Sequence, residues 1–248
     1  MIYLKTKEEL EKMAWSGKIA ARAMREVKQL IKPGITTLEI DTLVGKIFSD
    51  AGVESAFKKV EDYKFNICAT VNDQVVHGLP DNKPLISGDI VGIDLGCIFE
   101  GFNSDMAHTF PVGKVSEKVE RFLKIGEETL EKAIKQARPG QRIGDISNEI
   151  QTNIEKNGYS VVREFVGHGI GKNLHEEPWV PGFGKKGVGK KIEPGLVIAI
   201  EVIYNQKGPE VEMLDDGWTI VTKDGSISGL FERTVAITRE GPVVLTVE

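Results

Sequence analysis

Apolar residues recur at helical spacing in four stretches of this chain, and in short runs between them. Over 6–31, Leu10, Met13, Gly17, Ala20, Ala21, Met24, Val27 and Ile31 follow the spacing of one helical face. Thr6 and Glu9 have the form of a capping box, and Lys32-Pro33-Gly34 ends the pattern. A second helix is predicted over 37–51, with Thr36 as its N-cap and Gly52 as its stop. A third is predicted over 116–137, ahead of Arg138-Pro139-Gly140, and a fourth over 143–157, ahead of Gly158. Short strands are predicted at 66–71, 74–76, 105–111, 160–165, 217–222, 230–238 and 242–246, many of them separated by Gly and Asp turns.

Two further apolar runs each carry one acid: Ile90-Val91-Gly92-Ile93-Asp94-Leu95 and Leu196-Val197-Ile198-Ala199-Ile200-Glu201-Val202. A carboxylate in so apolar a strand must be paired or bound to a metal, because taking a charge out of water is costly. Gly88 to Gly195 and Asp94 to Glu201 span the same 107 positions. Pro33 to Pro139, Gly34 to Gly140 and Gly52 to Gly158 span 106. Chance recurrence of Pro-Gly turns explains the turns but not the register of the acids. The chain therefore reads as two related halves, roughly 1–112 and 113–248, facing each other across a pseudo-twofold axis within one catalytic domain, 1–248. Runs of strands beside pairs of helices predict an α+β fold, with helices packed on a mostly antiparallel sheet.

Composition narrows the classes. The chain has 248 residues, 40% hydrophobic and 28% charged, enough for a sizeable core. A net charge of −5 does not point to nucleic acid. Lys185, Lys186, Lys190 and Lys191 cluster locally, which reads more simply as a solvated loop than as a docking patch. Two cysteines, Cys68 and Cys97, do not make a disulfide framework, so a cytoplasmic location is expected. The N-terminus lacks a secretory pattern, and no run approaches the length of a membrane span.

Strand alternation puts Asp94 on a face with Gly92 and Ile90, and Glu201 on a face with Ala199 and Val197. The nearest same-face neighbour is small in both halves, which leaves room for an ion and a substrate. Asp105 and Glu232 are each expected to open the strand that follows an acid-bearing strand. Either alone reads as an ordinary strand-start acid, but four acids, two per half, point to a metal centre. Of the four histidines, His168 lies in a glycine-rich turn, Gly167-His168-Gly169, with His175 close behind it. His77 precedes Gly78, and His108 points away from the face of Asp105. Four carboxylates and one imidazole suit two divalent ions with two acids bridging, drawn from Mn, Fe, Co or Zn. Such a pair generates a nucleophile near neutral pH and polarises a carbonyl. His-Glu-x-x-His, Cys-x-x-Cys and GxxxxGK patterns are absent, which weighs against zincins, structural zinc and P-loops.

The chain resembles the type I methionine aminopeptidases. The resemblance rests on Val76-His77-Gly78, Gly92-Ile93-Asp94, Asp105, Gly167-His168-Gly169-Ile170-Gly171, His175-Glu176-Glu177-Pro178, Glu201, Trp218 and Glu232, and covers essentially the whole chain. It implies the two-halved pita-bread fold of creatinase and the aminopeptidases. It implies that Asp94 binds one metal, that His168 and Glu201 bind the other, and that Asp105 and Glu232 bridge them. By the same resemblance His77 contacts substrate near the scissile amide, His175 donates to the scissile carbonyl, and Glu201 shuttles a proton. Tyr63, Cys68, Leu174 and Trp218 then wall the methionine pocket.

The family's Gly-Tyr-Pro reads Asp62-Tyr63-Lys64 here, and an aromatic usually sits at Leu174. The common Pro-Asn/His-aromatic segment reads Pro181-Gly182-Phe183, and the Glu-Pro-Met that commonly follows the last central acid reads Glu201-Val202-Ile203. The type II insertion has no room between His168 and Glu201, and a form without an N-terminal zinc-binding or SH3-binding extension is expected. The short bacterial form is therefore expected, as a monomer that acts on the initiator methionine of nascent chains, with a transient ribosome contact as a further expectation. The rivals are an X-Pro-specific aminopeptidase of the same fold and a non-catalytic pita-bread binding module.

Overall fold

Four helices form where the apolar spacing predicts them. In the computed structural model, which describes residues 2–247, they are α1 (Lys7–Leu30), α2 (Thr37–Asp50), α3 (Glu117–Gln136) and α4 (Ile143–Glu155). Met1 and Glu248, the ends of the expected domain, lie outside the described residues. Both capping boxes close. Glu9 N donates to Thr6 Oγ1 at 3.3 Å, and Thr6 N donates to the Glu9 carboxylate at 2.8 Å. Thr36 and Glu39 repeat this at 3.2 and 2.9 Å. Each box satisfies two N–H groups at a helix start.

The strands are β1 (Glu54–Ser55), β2 (Ile67–Val71), β3 (Gln74–Val76), β4 (Ile90–Phe99), β5 (Phe102–Pro111), β6 (Ser160–Val161), β7 (Gly167–Gly169), β8 (Glu176–Val180), β9 (Val197–Asn205), β10 (Val211–Met213), β11 (Ile220–Thr222), β12 (Ser228–Ile237) and β13 (Pro242–Val244). All pairings are antiparallel. The first half builds the sheet β1-β4-β2, with β5 added on β4. The second half builds β13-β12-β9-β7-β8, with β6 on β9. A small sheet, β10-β11-β3, takes strands from both halves.

Each half has its own core. One packs α1 and α2 residues such as Met24, Val27, Ile40 and Phe48 against Ile67, Val91, Ile93 and Leu95. The other packs Phe122, Ile146 and Ile150 against Ile198, Ile200, Val202 and Phe231. Gly17, read as part of the α1 stripe, serves a close approach instead. A Cβ there would lie 2.3 Å from Leu245 O, so the C-terminal segment can cross α1 only over glycine.

The two halves meet where β5 passes β12, and two threonines bridge the strands. Thr109 Oγ1 donates to Leu230 O and accepts from Leu230 N, both at 2.9 Å. Thr234 Oγ1 donates to Asp105 O at 2.8 Å and accepts from Asp105 N at 2.9 Å. These hydroxyls take the place of ladder bonds there and pair the backbone N–H and C=O of Asp105 and Leu230.

Several expected strand limits are corrected. Asp105 and Glu232 do not open their strands, because β5 zips onto β4 from Phe102 and β12 onto β9 from Ser228. Both acids are therefore fixed mid-strand. The predicted strand at 160–165 pairs only at Ser160–Val161, and residues 164–166 leave the sheet to line a cavity. The predicted strand at 217–222 begins only at Ile220. Asp216 Oδ1 accepts from Trp218 N and Thr219 N, both at 2.8 Å, and this side-chain turn competes with the ladder.

Candidate metal centre and its pocket

Asp94 and Asp105 come from the paired strands β4 and β5, and Glu201 and Glu232 from β9 and β12. His168 comes from β7, opposite Ala199 and two residues from Glu201. The glycine-rich segment around His168 is therefore a strand rather than the expected turn. A Cβ at Gly167 would lie 2.5 Å from Ala199 O, and one at Gly169 would lie 2.3 Å from Glu177 O. The glycines let β7 fit between β9 and β8. The space over Gly92 is likewise not open to a ligand. Thr70 Oγ1 fills it, 2.4 Å from where a Cβ would stand.

All eleven candidate side chains line one cavity of about 340 Å³: Tyr63, Cys68, His77, Asp94, Asp105, His168, Leu174, His175, Glu201, Trp218 and Glu232. At its floor, His168 Nε2 lies 3.7 Å from Glu201 Oε1 and 4.0 Å from Asp105 Oδ2. Ligand atoms of Asp105, His168 and Glu232 all fall within 4.8 Å of one another. Asp105, His168 and Glu232 are buried, while Asp94 and Glu201 are partly open to the cavity.

The floor is electrostatically unfinished. Asp94 Oδ1, Asp105 Oδ1 and Glu232 Oε1 are buried without a hydrogen-bond partner. Burial raises the pKa of Asp94 to about 7, and burial with the Asp94 charge raises that of Glu201 to about 8. Burial, then neighbouring carboxylates, push Asp105 and Glu232 well above their usual range. Like charges this close cannot all ionise without a cation. His168 Nδ1 lies 2.9 Å from Gly169 O, and a carbonyl can only accept. Nδ1 therefore carries the proton and Nε2 turns its lone pair toward the acids. Burial lowers the His168 pKa to about 3, so the ring stays neutral, as a ligand must be. Hard oxygens with one imidazole nitrogen fit divalent cations.

Above the floor the walls are apolar and aromatic. Tyr63 and Trp218 meet edge to face at 4.9 Å, and Tyr63 Oη donates to Ile67 O at 2.7 Å. Cys68 stands beside Asp94 in register, and burial raises its thiol pKa, which keeps it protonated. Asp62, where the family carries glycine, has φ of 63°, a conformation glycine adopts freely and aspartate tolerates. His77 also has positive φ, 58°. Gly78 follows it because a Cβ there would meet Ala69 O at 2.2 Å. The His77 ring packs edge-on against Phe165 at 5.4 Å, and burial lowers its pKa. The His175 ring meets that of His168 at 4.4 Å and 82°. His108 lies outside the cavity, against Phe110 and Phe231.

Phe57, Val60, Phe165 and Trp179 also line the cavity and carry no motif that marks them. Only the position of Phe165, three residues before His168, and of Trp179, just after His175-Glu176-Glu177-Pro178, hints at a place near the site.

Comparisons with known proteins agree with this geometry. The model of metallopeptidase family M24 matches residues 11–239. A methionine aminopeptidase from Clostridium perfringens is 46% identical over 246 residues, 99% of each chain. The crystal structure of a methionine aminopeptidase from Thermotoga maritima superposes with a TM-score of 0.98 at 43% identity, covering 100% of both chains. A prolidase from Pyrococcus horikoshii gives a TM-score of 0.80 at 25% identity, and this chain spans only 64% of it. Identity over the full length of both partners decides between these relatives, and the chain belongs to the methionine aminopeptidases of metallopeptidase family M24.

Proposed function

We propose that this chain, acting as one catalytic domain, hydrolyses the N-terminal methionine of peptides and nascent proteins whose second residue is small. The observation that supports this reading is the meeting of four carboxylates and one imidazole beneath an apolar, aromatic-walled cavity. Asp94, Asp105, His168, Glu201 and Glu232 would hold two divalent ions, drawn from Mn, Fe, Co or Zn. Bound there, the ions would supply Lewis acidity at the scissile carbonyl and make a water easier to deprotonate.

The chain's own residues do the rest. Tyr63, Cys68, Leu174 and Trp218 enclose the methionine side chain and exclude water from it. His175 donates to the scissile carbonyl oxygen as negative charge develops there. His77 orients the peptide beside that bond. Glu201 takes a proton from the attacking water and delivers it to the leaving amine. The chain would work as a cytoplasmic monomer. The exposed lysines at 185, 186, 190 and 191 would make a transient ribosome contact, which a pull-down with their charge-reversed variant tests.

The decisive experiment is hydrolysis of Met-Ala-Ser against an X-Pro dipeptide, after chelation and after add-back of each divalent metal. Release of methionine on add-back, with no cleavage of X-Pro, supports the reading. Failure with every metal refutes it.

A further inference from the structure

The His175 ring has no hydrogen bond among the described residues, and the side chain is exposed. It packs against the His168 ring at 4.4 Å, and the loop that carries it sets its place. That loop, residues 170–175, and Glu176, which opens β8, are fixed underneath by a cation the catalytic reading does not use. Lys5 reaches in from the N-terminal segment, and its side chain is only 1% exposed. Its Nζ lies 2.8 Å from Glu176 Oε2, on the residue after His175. The other Glu176 oxygen accepts from Asn173 N at 3.0 Å. Gly171 leaves space for the lysine, since a Cβ there would lie 2.5 Å from Lys5 Cε.

Two more contacts complete the clamp. Asn103, two residues before Asp105, donates through Nδ2 to Gly171 O and Lys172 O, both at 3.0 Å. Lys5 N donates to Gly195 O at 2.7 Å, at the turn that leads into the strand of Glu201. Asn103 thus ties the His175 loop to the strand that bears Asp105, and the N-terminal segment ties it to the turn before the strand that bears Glu201.

We infer that Lys5, through its buried pair with Glu176, is a positioning residue that sets the His175 ring over the cavity. The inference rests on the proposed role of His175. An ion pair this buried is a poor source of net stability but a stringent geometric constraint, because either partner left alone must move toward water. Small displacements of a catalytic group can cost about 100-fold in rate.

The test uses the whole chain with Lys5→Met, Lys5→Arg and Glu176→Gln. Hydrolysis of Met-Ala-Ser at saturating manganese is measured alongside ¹H–¹³C spectra of the four histidine Cε1–H groups in metal-free protein. Lys5→Met and Glu176→Gln should each lower kcat by about tenfold or more, with KM held within about twofold. The His175 signal should shift or broaden while that of His108 stays in place. Lys5→Arg should restore most of kcat. Unchanged kcat and an unmoved His175 signal in Glu176→Gln overturn the inference, even if Lys5→Met does not fold. Movement of all four histidine signals together also overturns it, as the mark of general loosening. If wild-type protein releases no methionine, the proposed function fails, while the metal-free spectra still judge the positioning.

Discussion

The two halves use one plan and finish it differently. In the first half, Asp94 pairs with Ala107 and Asp105 with Gly96, so the acids are staggered by two positions. In the second half, Glu201 and Glu232 stand directly opposite each other. The strand beside the acid differs too. His168 faces Ala199 on β9, and the residue that faces the corresponding Gly92 on β4 is Thr70. Threonine fills its half with packing, and histidine turns a nitrogen lone pair toward the acids of its half. The connections also diverge. Phe102 follows Phe99 after a two-residue turn, whereas β9 and β12 are separated by the small hairpin β10–β11 and Trp218. A duplicated frame thus becomes a one-sided site: one half is compact support, and the other supplies the imidazole and much of the wall.

The sharpest break of that comparison is the pair His168→Ala and Thr70→Ala. His168→Ala should lower kcat/KM by more than about 100-fold and reduce bound metal, exceeding the usual loss of an outer-shell partner. Thr70→Ala should leave both near wild type. Peptide hydrolysis and elemental analysis read the difference, and similar losses in both variants would dissolve the asymmetry.

Stability against pH in metal-free protein comes next. Folded Asp94 and Glu201 titrate at about 7 and about 8, above their unfolded values near ~4. From about pH 7 to 8 the folded protein holds protons that the unfolded chain has released, and the unfolded histidines, with pKa near ~6.5, are mostly neutral. Stability should therefore fall as pH rises through this window. Added manganese should raise Tm more at pH 8 than at pH 6.5. A flat metal-free profile would mean that these acids are not crowded as described.

The seam offers a finer test. Thr234→Val strands the backbone groups of Asp105, and Thr109→Val strands those of Leu230. Each should cost about 1–3 kcal/mol in urea unfolding. Only Thr234→Val should also depress activity, because its partner carries a carboxylate of the proposed metal centre. The smallest effect concerns Gly92. Gly92→Ala should cost about 1–2 kcal/mol through its clash with Thr70. The double variant with Thr70→Ala should recover part of that loss, a coupling that a double-mutant cycle measures.

Much of this protein was legible from its sequence, for a local physical reason. Helix periodicity, the Thr6 box, Thr36 as the cap of the second helix, and the Pro-Gly turns act within a few residues of chain. The recurrence of Asp94 as Glu201 pointed to two related halves, the acids and histidines pointed to a shared site, and the family resemblance named the wall residues that line the same cavity. Tertiary structure decided what depends on distant partners. Whether Gly167-His168-Gly169 is a turn or a strand is set by Ala199, far along the chain, together with Glu177 across the following turn. Residues 164–166 and Trp218 leave their apolar runs because cavity lining and an Asx turn outweigh strand propensity there. The register of the acids, the threonine seam and the Lys5–Glu176 pair follow from how separately formed elements dock, and spacing within any one element carries no information about that.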